Sequence, residues 1–317
     1  MFEAFLKQHD TATWARTREA LLASMHEVDR DATRIWFHFF PLALSDALAQ
    51  SDDPDQLAGT LRLDGSYRLA DQCDSSHWFL YGHRYWPEAK EAIIRRANSA
   101  ASPASLDLAA IVRDLAREAA AAAGVSQTLL VGIVAVGLST LQQVGLSSLR
   151  RSSGAVSIPA GLAKKSPDRI AAARETDDRQ GIFGFLRGVR SQYSVRFDER
   201  QPDARFTVIN LQHLTTAAAN DTRDYSSGTR LRRDGPIPVR CRSASCGTCW
   251  VGILGGATKL SAVEPLEARA MKEFGYINST DPTPVIRLAC QAVASGNATI
   301  VIPPWNGVIG KAGLGGA

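Results

Sequence analysis

Four of the five cysteines in this 317-residue chain fall near its C-terminal end. Cys241, Cys246 and Cys249 lie in CRSASCGTCW, spaced C-x4-C-x2-C, and Cys290 follows in RLACQ. Thiolates bind soft metals, and this spacing is that of the four sulfurs that hold a [2Fe–2S] cluster. The chemistry it implies is one-electron transfer. Each iron of a two-iron rhomb takes two protein thiolates, so four sulfurs must converge on a small object. A tight loop can deliver three of them. Ser243, Ala244, Ser245, Gly247 and Thr248 are short enough for the backbone to wrap closely and turn N–H groups toward the sulfurs. Gly247 suits a backbone angle that a Cβ would oppose.

Two other cysteine chemistries compete. A structural zinc site usually pairs two C-x2–4-C knuckles, and the second knuckle is missing here. A disulfide framework is poorly supported by five cysteines in 317 residues. The iron–sulfur reading fits best, with zinc as its alternative.

The segments around these cysteines resemble the plant-type [2Fe–2S] ferredoxin family. CGTCWVGILGG is similar to its loop-then-strand segment, LSAVEPLEARAMKEFG to the helix that follows, and RLACQAVASGNATIVIP to its closing stretch. The similarity spans residues 203–306. It implies a β-grasp domain, one [2Fe–2S] cofactor, and Cys241, Cys246, Cys249 and Cys290 as the ligands of its iron. Two features depart from the family. The stretch before Cys241, NDTRDYSSGTRLRRDGPIPVR, lacks the alanine-rich helix the family places there. The gap from Cys249 to Cys290 is long and contains DPTP (281–284).

The elements that must carry these ligands are legible from local pattern. FTVINL and ATIVI are β-prone runs, the second ended by Pro303, and Val251, Ile253 and Leu254 follow the third cysteine. A helix is expected from Glu264 or Ser261 as cap and Pro265 near its first position. Leu266, Ala270 and Phe274 would form its apolar face and Gly275 its stop.

The rest of the chain reads differently. Residues 12–28, 88–98 and 104–123 have helical composition, and Leu108, Ile111, Val112, Leu115 and Ala119 share one face of the third. Two aromatic-rich stretches stand out, IWFHFFPLAL (35–44, with His38) and CDSSHWFLYGHRYWP (73–87). Cys73, His77 and His83 could touch a haem, quinone or metal, but C-x3-H-x5-H is no standard metal spacing, and a packed aromatic core is the plainer reading. From Ala119 to Leu149 there is no charged residue. That length could span or touch a membrane, with Arg150 and Arg151 on the cytoplasmic side, or form two buried helices meeting near Gly124. Ser126, Gln127, Thr128, Gln142 and Gln143 interrupt it.

Charge is uneven. Residues 1–150 carry 14 Lys and Arg against 18 Asp and Glu, and residues 151–317 carry 22 against 14. The cationic excess gathers between Arg150 and Arg200 and around Arg223, Arg230, Arg232, Arg233, Arg240 and Arg242. This suits an acidic docking partner or an anionic surface, or simply a solvated arginine face. No nucleic-acid module accompanies it, so nucleic acid is not an expected partner. Sparse cysteine and a polar N-terminus point to the cytoplasm, or to the cytoplasmic face of a membrane. No phosphate-cradling glycine loop, nicotinamide fingerprint or repeat is evident.

The expected layout is a multidomain α plus α+β chain. It comprises a helical N-terminal region (1–118), the charge-free hydrophobic segment (119–149), and a basic linker (150–202) with an apolar piece at Ile182–Leu186. A β-grasp [2Fe–2S] ferredoxin-like domain (203–310) and a Gly-rich tail (311–317) follow. The expected function is a non-catalytic electron-transfer subunit that relays single electrons to or from a catalytic oxidoreductase subunit of hydrogenase, dehydrogenase or oxygenase type. The alternative is a self-contained oxidoreductase whose N-terminal region holds a second cofactor fed by the ferredoxin-like domain.

Overall fold

The computed structural model describes residues 1–99, 107–178, 191–225, 235–275 and 283–306. They fall into two compact units, Met1–Asp46 with Arg68–Ile158, and Ala47–Tyr67 with Pro159–Ala317. The expectations for Ile182–Leu186, Arg230, Arg232, Arg233, the first half of DPTP (281–282) and the 311–317 tail lie outside the described residues.

The first unit is helical: α1 (Phe2–Leu6), α2 (Thr11–Leu21), α3 (Glu27–Phe39), the start of α4 (Leu42–Gln50), and, after an excursion that carries α5 (Pro54–Thr60), α6 (Trp86–Asn98), α7 (Leu108–Ala123) and α8 (Val131–Arg151). Local chemistry sets the ends. Asp10 and Asp107 cap α2 and α7 by accepting from Thr13 N and Ala109 N. Gly124, in the left-handed region at φ 67°, stops α7. The run 12–28, expected as one helix, is broken between α2 and α3, where His26 caps the next start by accepting from Val28 N. The predicted face of α7 is buried throughout.

The charge-free segment is resolved as two helices meeting at Gly124. Val131–Leu141 of α8 is entirely buried. Its length and apolarity alone would let it cross a membrane, but its polar residues are satisfied by protein. Gln142 accepts from Trp14 Nε1 at 2.7 Å and donates to His9 O at 2.8 Å, and Gln143 donates to Phe40 O at 3.0 Å. Gly145 (φ 76°) kinks the helix, and the freed N–H of Leu146 is taken by the Glu3 carboxylate at 2.8 Å. Both aromatic stretches pack around it, with Trp36, Phe39 and Trp86 fully buried.

The second unit holds α5, β1 (Asp64–Gly65), α9 (Ala160–Ala163), α10 (Pro167–Asp178), β2 (Gln192–Arg196), β3 (Arg205–Ile209), β4 (Gln212–His213), α11 (Leu214–Ala219), β5 (Trp250–Gly255), α12 (Pro265–Glu273), β6 (Ile286–Leu288), β7 (Val293–Ala294), β8 (Ala298–Val301) and β9 (Trp305–Asn306). Five strands form a mixed sheet in the order β3-β2-β8-β5-β6, with β2 and β8 parallel. Two small ribbons, β1–β9 and β4–β7, flank it.

Two of the expected domain bounds need correction. The boundaries 150–202 and 203–310 divide a single unit: β2, assigned to the linker, sits inside the sheet because Tyr193 and Val195 point into the core between β3 and β8. An isolated QYSVR among charged residues carries no such signal. Residues 47–67, placed in the N-terminal region, also belong to this unit through the β1–β9 pairing. The stretch before Cys241 holds no helix among its described residues; the short helix α11, LTTAAA (Leu214–Ala219), lies immediately ahead of it. On α12 the cap, Pro265 and the stop near Gly275 are as expected, and Ala270 and Phe274 are buried, but Leu266 is 54% exposed.

Candidate metal centre

The site is built where α11, the loop before β5 and the segment after β6 meet. Gly235 (φ 86°) lies so close to α11 that a Cβ there would sit 2.0 Å from Ala218 O. Leu214 N and Thr215 N, opening α11, donate to Ala292 O and Ala289 O, which fixes the turn that carries Cys290. That turn is also tied to the loop directly, since Ala289 N donates to Cys249 O at 2.9 Å. The β5–β6 register pairs Trp250 with Leu288. Cys249 and Cys290 are thus delivered side by side by adjacent strands.

The loop itself adopts the conformation its short residues permit. Ala244 (φ 56°) and Gly247 (φ 67°) both occupy the left-handed region. The Thr248 hydroxyl bridges Arg240 N (3.1 Å) and Cys246 Sγ (2.9 Å). Gln291 Nε2 reaches Cys290 Sγ at 3.4 Å and Arg242 O at 3.2 Å.

All five thiols are free, and the four of the motif converge as two pairs. Burial pushes the Cys241 thiol up, but hydrogen bonds from Cys246, the Ser245 hydroxyl and the N–H groups of Ser243 and Ser245 outweigh it and bring it down to about 6. A hydrogen bond from Cys249, against the cost of burial and helped by Gln291 and the Ala244 N–H, lowers Cys290 to about 7. The donor, Cys249, is pushed up by that same bond and by its burial. Cys249 and Cys290 are 1% and 3% exposed, whereas Cys241 and Cys246 are half-buried.

This donor set fits a two-iron cluster. Two thiol pairs, one inner and one outer, match two irons with two protein sulfurs each, and the N–H groups of Ser243, Ala244 and Ser245 are already aimed at sulfur.

A buried ion pair that sequence reasoning missed supports the inner pair. Arg287 Nε and Nη2 donate to Glu267 Oε1 and Oε2 at 2.9 and 2.7 Å, Nη1 donates to Ser261 O at 2.8 Å, and Leu288 N donates to Glu267 Oε1 at 2.9 Å. The one signal was a lone arginine inside the apolar run VIRLAC. The positive φ of Ala244 had no signal at all.

Cys73, His77 and His83 are brought together, but as core. His77 is fully buried against Trp86, its Nε2 3.2 Å from Cys73 O and its Nδ1 2.9 Å from His83 Nδ1. Burial first, then the neighbouring His83, holds His77 well below the usual imidazole range. Burial likewise pushes the Cys73 thiol up to about 11, so it is a poor ligand or nucleophile.

Four paired thiols, three from the loop before β5 and one from the turn after β6, define an iron–sulfur electron-transfer module. Residues 212–295, which contain all four cysteines, match the family described as the 2Fe-2S iron-sulfur cluster binding domain, and the chain carries such a domain, which binds a [2Fe–2S] cluster. The N-terminal region matches no family. No curated protein and no solved structure matches the chain.

Proposed function

We propose that the chain is an electron-transfer subunit in which Cys241, Cys246, Cys249 and Cys290 hold the [2Fe–2S] cluster inside a β-grasp domain. It relays single electrons to or from a catalytic oxidoreductase subunit of a larger complex. The observation that carries the reading is the convergence of the four thiols as an inner and an outer pair, with three backbone N–H groups turned toward their sulfurs. When bound, the cluster supplies reversible one-electron exchange. The chain's own residues orient the four sulfurs, keep water from Cys249 and Cys290, and donate hydrogen bonds that favour a more negative site. Five cysteines in 317 residues, four of them assigned to the cluster, suit a reducing compartment such as the cytoplasm. We read segment 119–149 as the core of the first unit instead of a membrane contact, on the burial of Val131–Leu141.

The test is anaerobic purification with iron and acid-labile sulfide analysis, visible absorbance and EPR after reduction. Two irons and two sulfides per chain are expected, lost in Cys249→Ser and Cys290→Ser. A colourless protein containing zinc would sink the ligand assignment. Affinity purification from the native host should then recover an oxidoreductase subunit, and recovery of the chain alone under mild conditions would count against the complex.

A further inference from the structure

The outer cysteines, Cys241 and Cys246, are the half-buried pair of the quartet. Electron exchange weakens steeply with distance, so a partner must approach on their side. Two arginines flank Cys241 there. Arg242 is exposed, and its backbone carbonyl is held by the same Gln291 amide that reaches Cys290 Sγ. Arg240 is fixed by its own N–H on Thr248 Oγ1, the hydroxyl that also touches Cys246 Sγ. Between Arg242 and Cys246 the exposed residues are only Ser243 and Ser245, hydrogen-bonded to each other at 3.1 Å, so the guanidinium groups dominate the rim.

One carboxylate engages this rim from far along the chain. Asp64, on the short strand β1 held against β9, places Oδ2 2.8 Å from Arg240 Nη2, across 176 residues. The Arg240 side chain is 55% exposed and that of Asp64 41%. An ion pair that open to water contributes little to stability and exchanges readily with another carboxylate.

We infer that the Arg240–Arg242 rim is the docking face for an acidic redox protein, and that Asp64 is an intrachain stand-in for that partner's carboxylate. The inference rests on the reading of the four cysteines as cluster ligands. Charge complementarity carries it: both residues beside Cys241 are cationic, the rim's loop is otherwise neutral, and residues 151–317 hold 22 Lys and Arg against 14 Asp and Glu. The association is reversible. No bond forms between the proteins beyond the ion pairs, and the electron lost on one side is the one gained on the other. Asp64 masks half of the rim, so a partner must bring enough negative charge to engage Arg242 and displace Asp64 from Arg240. That requirement favours strongly acidic partners over neutral ones.

The experiment uses the intact holoprotein, reduced with dithionite and mixed in stopped flow with three oxidants: ferricyanide (an anion), tris(phenanthroline)cobalt(III) (a cation) and an oxidised acidic flavodoxin. Rates with ferricyanide and flavodoxin should fall as salt rises, and the rate with the cobalt complex should rise. Arg240→Gln and Arg242→Gln should each lower the low-salt flavodoxin rate several-fold, up to about tenfold. Asp64→Asn should raise it. Arg117→Gln, on exposed α7 surface, makes the same change in net charge and should leave the rate unmoved. If the rim variants behave like Arg117→Gln while their visible spectra are normal, the docking face is wrong. If instead wild type sediments with phosphatidylserine vesicles, Arg242→Gln releases it and the flavodoxin rate does not change, the face belongs to a lipid surface and the protein-partner proposal falls. Absence of iron–sulfide absorbance in the wild type would overturn the ligand reading beneath it, a failure distinct from either.

Discussion

Replacing Glu267 by alanine should cost the second unit about 3–5 kcal/mol, which is the usual penalty for stranding one member of a buried ion pair. Glu267 is wholly buried and Arg287 is 3% exposed. The carboxylate accepts two bonds from Arg287 and a third from Leu288 N, while among the described residues Arg287 keeps only Ser261 O when it is gone. An unpaired buried N–H alone costs about 1–3 kcal/mol, so the loss is shared between a stranded guanidinium and a broken strand contact. Domain stabilities are about 5–15 kcal/mol, which makes this a large fraction. Leu288 lies two residues before Cys290, so the inner sulfur pair should loosen with it. The assay is urea unfolding of the holoprotein followed in parallel by visible absorbance and far-UV circular dichroism. The variant should unfold at markedly lower urea, with the cluster signal lost first or together. Glu267→Leu with Arg287→Met, which removes both charges and keeps the volume, should regain much of the loss. A loss below about 1 kcal/mol in Glu267→Ala, or a double variant no better than the single, would refute the reasoning.

Asp74 should be as important to the first unit: it accepts from Trp86 Nε1, Lys90 Nζ, Ser152 Oγ, Ser153 Oγ and Gly154 N, pinning the end of α8 to α6. Asp74→Ala should cost about 2–4 kcal/mol, visible in near-UV tryptophan signals with the iron–sulfide absorbance unmoved. Gly137→Ala would place a Cβ 2.5 Å from Ile93 Cδ1 and 2.9 Å from Trp86 Cζ3; overpacking of this kind costs about 1–3 kcal/mol, measurable as a lower melting temperature. Asp221 carries a pH signature. Its hydrogen bonds from Arg223, against the cost of burial and aided by Tyr225, lower it from 3.8 to about 2. A depressed carboxyl stabilises the fold above its unfolded value and loses that contribution as pH falls from 3.8 through about 2. Asp221→Asn should therefore be less stable than wild type at pH 7, with the difference shrinking toward pH 2 in acid titrations followed by circular dichroism.

The parts of this protein that were readable in advance are those with a local cause. The spacing of Cys241, Cys246 and Cys249 is a geometric demand of a small cluster, and it was visible without any fold. The apolar face of α7, the cap and Pro265 of α12, and the runs that became β3, β5 and β8 likewise follow from side chains within a few residues of one another. The histidines of the 73–87 stretch were harder, because Cys73, His77 and His83 have the right chemistry for a ligand set. Only packing shows that both imidazoles satisfy each other and a carbonyl inside an aromatic core.

Sequence alone determined the chemistry of the site, since four thiols at that spacing name an electron-transfer centre whatever surrounds them. Tertiary structure decided what supports and surrounds it. It brought β2 out of an apparent linker into the sheet, carried residues 47–67 into the second unit so that Asp64 meets Arg240, and set Glu267 against Arg287 behind Cys290. The physical reason is range. Ligand spacing, caps and hydrophobic period are properties of neighbours along the chain, whereas strand partners and ion pairs between residues 20 or 176 positions apart exist only once the chain has closed on itself.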